Sequence, residues 1–218
     1  HLVDLVQWEC FPEEIINHNS DINITSARRW KTTLTPAQFE KVTTLKSYPD
    51  YLAKDVDQNG SLGVYSNGEI NYQIKGVNAK VSVIWNFEAP AGAGDTHFSI
   101  MKGTKANLII RQGKEENYKP LLYIEPLDKD DKSFESQLKT AVAKVQSTYP
   151  GIDVQRSGEI WTVTVPEKYH NGHEAHFGQV AEKYMEYLRK GNMPAWEVPN
   201  MITKYFITTR ALEIAKEK

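Results

Sequence analysis

The pattern of hydrophobic and polar positions divides the chain into a helical start, a long run of strands and a helical end. Leu2, Val3, Leu5, Val6 and Trp8 recur as on an amphipathic helix, which therefore begins almost at residue 1. Pro12 to Thr33 is polar and without period and reads as irregular chain. Thr35-Pro36-Ala37-Gln38 combines a capping residue with proline at the first helical position and predicts a short helix to about Leu45. From Ser61 the period shortens to that of strands. Asn67-Gly68, between Leu62-Gly63-Val64-Tyr65 and Ile70-Asn71-Tyr72-Gln73-Ile74, predicts a type I′ hairpin. Lys80 to Glu88 alternates, with Val81, Val83, Trp85 and Phe87 on one face, and only Ile84 breaks the pattern. Thr96–Met101 and Lys105–Arg111 form a hairpin about Lys102-Gly103, and Leu121–Glu125 is a further strand.

Phe134, Leu138, Ala141, Val142 and Val145 then repeat at the helical interval until Tyr149-Pro150-Gly151. Ile152–Gln155 and Ile160–Val165 make another hairpin about Ser157-Gly158. Two helices complete the chain. The first carries Phe177, Val180, Ala181, Tyr184, Tyr187 and Leu188 before Gly191, and the second runs from about Asn200. No linker or repeat interrupts this order. The expectation is one α+β domain over residues 1–218, a large, mostly antiparallel open sheet with helices packed on one face.

Composition narrows the partners. Lys and Arg number 26 against 28 Asp and Glu, a net charge of -2, which supplies no field for nucleic acid or an anionic membrane. No apolar run has the length of a membrane span, so the piece is expected to be soluble, cytoplasmic or exported according to what precedes it. The single cysteine, Cys10, excludes an internal disulfide and reads as a small buried hydrophobe. Because His1 opens the chain inside a helical pattern, with no initiator methionine or capping residue, a piece of a longer protein is expected.

Motifs for nucleotide binding are missing. Gly92-Ala93-Gly94 follows Ala89-Pro90 and leads into a strand, not a helix, and Gly103-Thr104-Lys105 has the wrong order for a phosphate loop. Histidines carry more information. His1 and Asp4 lie one turn apart on one helix face. His170, His173 and His176 crowd the start of a helix, where His173 and His176 suit hydrogen bonding to a hydroxyl better than metal ligation. Asp95-Thr96-His97 follows the glycine-rich loop, so His97 can project from a sheet edge into a cleft.

His1-Leu2-Val3-Asp4 resembles the H-x-x-D of the glucose-fructose oxidoreductase, inositol dehydrogenase and rhizopine catabolism (Gfo/Idh/MocA) family. There the histidine belongs to an active-site D-x-x-x-H-x-x-D helix. Three further segments resemble the C-terminal domain of a bacterial branch of oxidoreductases: the run from Asp95 to Ala106, Gly172-His173-Glu174-Ala175-His176-Phe177, and Trp196-Glu197-Val198-Pro199-Asn200-Met201. The resemblance covers nearly the whole chain. It implies an N-terminal Rossmann domain that is absent here, with NAD or NADP bound in the full-length parent and no cofactor in this piece. By the same resemblance His1 is the proton-transferring residue and Asp4 the acid beside it; His97, His173 and His176 are the substrate contacts expected from their own positions in the sequence. A carbohydrate-like small molecule is then the ligand, and a homo-oligomer through the sheet the assembly.

The function expected is the substrate-binding and oligomerisation part of an NAD(P)-dependent oxidoreductase, transferring hydride at a sugar or polyol hydroxyl or carbonyl. Alone, the piece is expected to be inactive. The competing expectation is a noncatalytic carbohydrate-binding or assembly module, in which His1 only packs a helix. A metal hydrolase would rest on His173 and His176 alone, with no third ligand evident.

Overall fold

The structure, a computed structural model, describes residues 1–217. It is α+β, and its strands divide between two antiparallel sheets instead of joining one. The chain folds as two compact units, residues 1–88 with the segment from Asn192 onward, and Ala89–Gly191.

In the first unit β1 (Ile22–Leu34), β2 (Leu62–Ile74) and β3 (Val77–Val83) lie in that order. Helices α1 (Leu2–Cys10) and α5 (Glu197–Lys216) belong to the same unit, with α5 against β1. The core consists of Val3, Ile16, Tyr72, Ile74 and Ile207, flanked by Val6, Ile22, Ile24, Ile70 and Phe206. A second cluster at the other end of the long strands joins Leu34 and Leu62 to Phe39 of α2 (Pro36–Thr43). The cap expected for α2 is present: Thr35 Oγ1 accepts from Gln38 N–H, and Gln38 Oε1 accepts from Thr35 N–H.

Strand β1 fills a stretch that reads as irregular. Its register slips between Ile24 and Ser26 and again between Trp30 and Lys31. Each bulge shifts the inward face by one residue, which erases the period of two from the sequence. The hairpin expected at Asn67-Gly68 is also displaced, because β2 runs straight through both residues. Asn67 is buried; its Nδ2 donates to Trp30 O at 3.2 Å and Thr32 Oγ1 at 2.9 Å, and its Oδ1 accepts from Trp85 N–H at 2.7 Å. The turn lies at Lys75-Gly76, where φ is 48° and 80°, the positive pair a type I′ turn needs. Asn67 also explains why β3 stops at Val83 instead of reaching Glu88. It captures the Trp85 amide, and Trp85 and Phe87 turn into the second cluster.

The second unit holds β4 (His97–Lys102), β5 (Ala106–Gln112), β6 (Leu121–Pro126), β8 (Ile160–Thr164) and β7 (Asp153–Ser157), in that spatial order. Helix α3 (Phe134–Thr148) lays Phe134, Leu138 and Val142 on Ile124, Val154 and Trp161. Helix α4 (His173–Lys190) follows and ends at Gly191 in the left-handed conformation, as its sequence requires. Helix α5 starts at Glu197, three residues before Asn200, with Pro199 inside the first turn, where its missing N–H removes no helical bond.

On the first sheet Glu69 accepts from Arg28 at 3.1 Å, Lys80 at 3.0 Å and Asn71 at 3.3 Å. The Arg28 and Lys80 bonds, in that order, hold its carboxyl down to about 2. Since the folded value lies below the unfolded one, this contribution to stability is complete above the ordinary glutamate range and disappears as pH falls toward 2. A carboxyl-detected NMR titration is expected to place Glu69 near 2 in the native chain and to return it toward about 4.3 in Arg28→Ala/Lys80→Ala. An ordinary glutamate titration in the native chain contradicts the assignment.

Candidate functional site

His1 stands at the N-cap of α1, exposed, with no capping bond from its side chain. Its carbonyl accepts from Leu5 N–H at 3.0 Å, so the helix begins without using the imidazole. Asp4, one turn on, lies on the same face and near the positive end of the helix. Its Oδ2 accepts from Lys204 Nζ of α5 at 3.1 Å, with the side chains only 14% and 24% exposed. Among the described residues Lys204, and not His1, is the hydrogen-bonding partner of Asp4. The result is an ion pair that ties the first turn of α1 to α5, with His1 at the N-cap of the same helix.

Lys204 was not legible as a site residue. It is 200 positions from Asp4, and no local spacing links them. The usable signal was its place on α5 one turn after Asn200, within reach of whatever surface Asn200 faces.

Of the other histidines, His18 stays in the first unit, its ring 5.2 Å from that of Phe206, and His97, His170, His173 and His176 lie in the second. His97 opens β4, half-buried, opposite Gln112 in the register. Gln112 Nε2 donates to Asp95 O at 3.0 Å and fastens the loop before the strand. His173 and His176 are exposed in the first turn of α4. The His173 ring meets Phe177 edge-on at 4.8 Å, and its Nδ1 lies 3.3 Å from Glu174 Oε1. His170 makes the same kind of contact with Glu167 at 3.1 Å. Among the described residues no group of three or more histidine, cysteine, aspartate or glutamate side chains could hold a metal ion.

The second unit also contains a cavity of about 300 Å³ between the loop after β6, the start of α3 and the β7–β8 hairpin. Asp128, Asp130, Glu135, Glu159, Arg156 and Trp161 are on its walls. Lys129 pairs with Glu159 across the rim, and Arg156 lies 3.8 Å from Glu135 and 5.8 Å from the Trp161 ring centre. None of His97, His173 and His176 lines it. In the sequence this run of alternating acids and lysines reads as a solvated loop.

The glycine-rich loop Gly92-Ala93-Gly94 leads into a strand, as its sequence predicts. Gly92, with φ of 78°, makes a turn in which Ala93 N–H donates to Pro90 O at 2.9 Å, and the chain then enters β4 and not a helix. No helix N-terminus follows to receive a pyrophosphate. Cys10 is half-buried, and burial, followed by the charge of Glu9, pushes its thiol up, away from nucleophilic use near neutral pH. No helix among the described residues is long and apolar enough to cross a membrane.

Comparison with known proteins places this geometry in a family. Residues 1–216 match the family model described as "Putative oxidoreductase C terminal domain". A crystal structure of a "putative oxidoreductase" from Parabacteroides merdae superposes with a TM-score of 0.97 at 53% identity, covering 100% of this chain. This chain spans 50% of that one. The comparison with curated proteins finds no match.

The Asp4–Lys204 pair generates a prediction for a double-mutant cycle. Lys204→Met is expected to cost about 2 kcal/mol, because it strands a largely buried carboxylate. Asp4→Asn/Lys204→Met is expected to be less destabilised than the sum of its parts by about 1 kcal/mol in urea unfolding. Strict additivity contradicts a working ion pair.

Proposed function

Since the chain belongs to the putative oxidoreductase C-terminal domain family, we propose that it is the substrate-binding and self-associating half of an NAD(P)-dependent oxidoreductase acting on a sugar or polyol. The observation that carries the reading is the family match over residues 1–216, and His1 at the start of α1, one helical turn from the Asp4–Lys204 ion pair, is the residue we assign to proton transfer. NAD or NADP would be held by the other half of such a protein. A nicotinamide supplies hydride chemistry; what this chain contributes is a place for the alcohol and a route for its proton.

In that role His1 accepts the hydroxyl proton as the alcohol is oxidised and returns it in the reverse direction, general acid–base work that an imidazole nitrogen can do. Asp4, held by Lys204, fixes the local charge without moving the proton. His97, His173 and His176 are assigned to substrate hydroxyls, each offering a ring nitrogen as donor or acceptor.

The test uses the longer protein that joins this chain to a nucleotide-binding half. His1→Ala is expected to lower kcat by about a hundredfold while the dissociation constant for NAD(H) or NADP(H), measured by fluorescence, stays within about twofold. Unchanged turnover overturns the role of His1, and a parallel loss of nucleotide affinity overturns the division of labour.

A further inference from the structure

The face of the first sheet that packs on α1 and α5 continues beyond the hydrophobic core. Buried Ala27 pairs with Ile70, which flanks that core, and Arg29 stands two residues further along β1 on the same face, about 7 Å away. Its register partner is Gly68, which sets no side chain beside it. Trp30 pairs with Asn67 and Lys31 with Tyr65, so β2 bulges at Ser66 and turns Tyr65 onto this face as well. The Arg29 guanidinium lies 4.0 Å from the centre of the Tyr65 ring, and Lys31 Nζ 4.9 Å from it.

The two cations differ. Lys31 is already paired: its stem crosses β2 over Gly63, where a Cβ would meet Lys31 Cδ at 2.7 Å, and its Nζ lies 3.2 Å from Asp55 Oδ1. Arg29 is half-buried and meets the Tyr65 ring, but among the described residues it has neither a carboxylate partner nor a protein acceptor for its N–H groups. Contact with a ring face occupies the flat side of a guanidinium and leaves the donors in its plane to other partners. Such a fork matches the paired oxygens of a carboxylate or phosphate, whereas a neutral hydroxyl makes no use of its charge.

The start of α1 points to the same region. Phe11 and Glu14, which follow the helix, lie 5.8 Å and 2.5 Å from Lys75 Nζ at the β2–β3 turn. The helix therefore directs His1 away from that turn, along the face toward Ala27 and Arg29. Val3, in its first turn, belongs to the cluster that Ile70 and Val81 flank.

We propose that Arg29, backed by Tyr65, holds an oxyanion of the substrate, which makes the substrate a polyol bearing a carboxylate or phosphate, with its reacting hydroxyl at His1. The place of that hydroxyl rests on the proposed function; the anion site stands on the geometry of β1 and β2.

Calorimetric binding to the longer protein tests the site apart from turnover. The probes are glucuronate, galacturonate and mannuronate, the corresponding hexose 6-phosphates and the three parent hexoses. At least one acid is expected to bind about tenfold or more tighter than its parent, and the tighter of its carboxylate and phosphate forms identifies the group. Arg29→Met is expected to bring acid and parent within about threefold while the parent's affinity stays within about twofold, and Arg29→Lys, which keeps the charge and loses the fork, to fall between. Tyr65→Leu, at an exposed position, is expected to weaken the acid about threefold, which keeps the site testable if Arg29→Met does not fold. Equal affinity for acids and parents overturns the proposal, as does a preference that both variants retain. A loss of about tenfold in NAD(H) or NADP(H) affinity in Arg29→Met also overturns it, because the anion held is then the nucleotide's. If acids bind as expected and none is oxidised, the proposed function fails and the anion site stands.

Discussion

A buried backbone segment must find hydrogen-bond partners, and in the first unit that requirement is met at Ile16. Ile16 is fully buried in the core, on a segment with no ladder of its own between α1 and β1. Helix α5 supplies what is missing. Asn200 Oδ1 accepts from Ile16 N–H at 2.9 Å, Asn200 Nδ2 donates to Glu14 O at 2.9 Å, and Thr203 Oγ1 donates to Ile16 O at 3.0 Å. Asn200 and Thr203 are themselves buried, so losing either partner would leave the other's polar group in an apolar core. Through this clamp the two ends of the chain close over the same sheet, and Lys204, one residue further along α5, reaches Asp4.

The sequence was legible where local chemistry decides structure. The capped start of α2, the Lys102-Gly103 and Ser157-Gly158 hairpins and the glycine end of α4 all depend on residues that are near neighbours. It misled where tertiary pairing outweighs a local preference. Asn67-Gly68 has the stronger I′ signal, yet Asn67 is more useful as a buried bridge between Trp30, Thr32 and Trp85, and Lys75-Gly76 makes the turn instead. Two bulges hid β1, and nothing in a period of two could foretell that the strands would divide into separate sheets.

The candidate site follows the same division. His1 and Asp4 are visible as an i, i+3 pair, but the partner of Asp4 comes from the far end of the chain because the clamp brings it there. Asn200 belongs to the segment Trp196–Met201, one of those resembling the oxidoreductase branch, and its function in this fold is structural: it holds the main chain, and holding it positions α1. The sequence also gives no sign that α4 would be left bare. Its apolar positions read as a core face, and only the fold reveals that no neighbour in its unit covers them.

Native-state hydrogen exchange followed by NMR tests the clamp most directly. If Ile16 is held as described, its amide exchanges only with the global opening of the first unit, at the same free energy as the amides at the centre of α5. Exchange of the Ile16 amide at loop-like rates, while the α5 amides remain protected, would contradict the account.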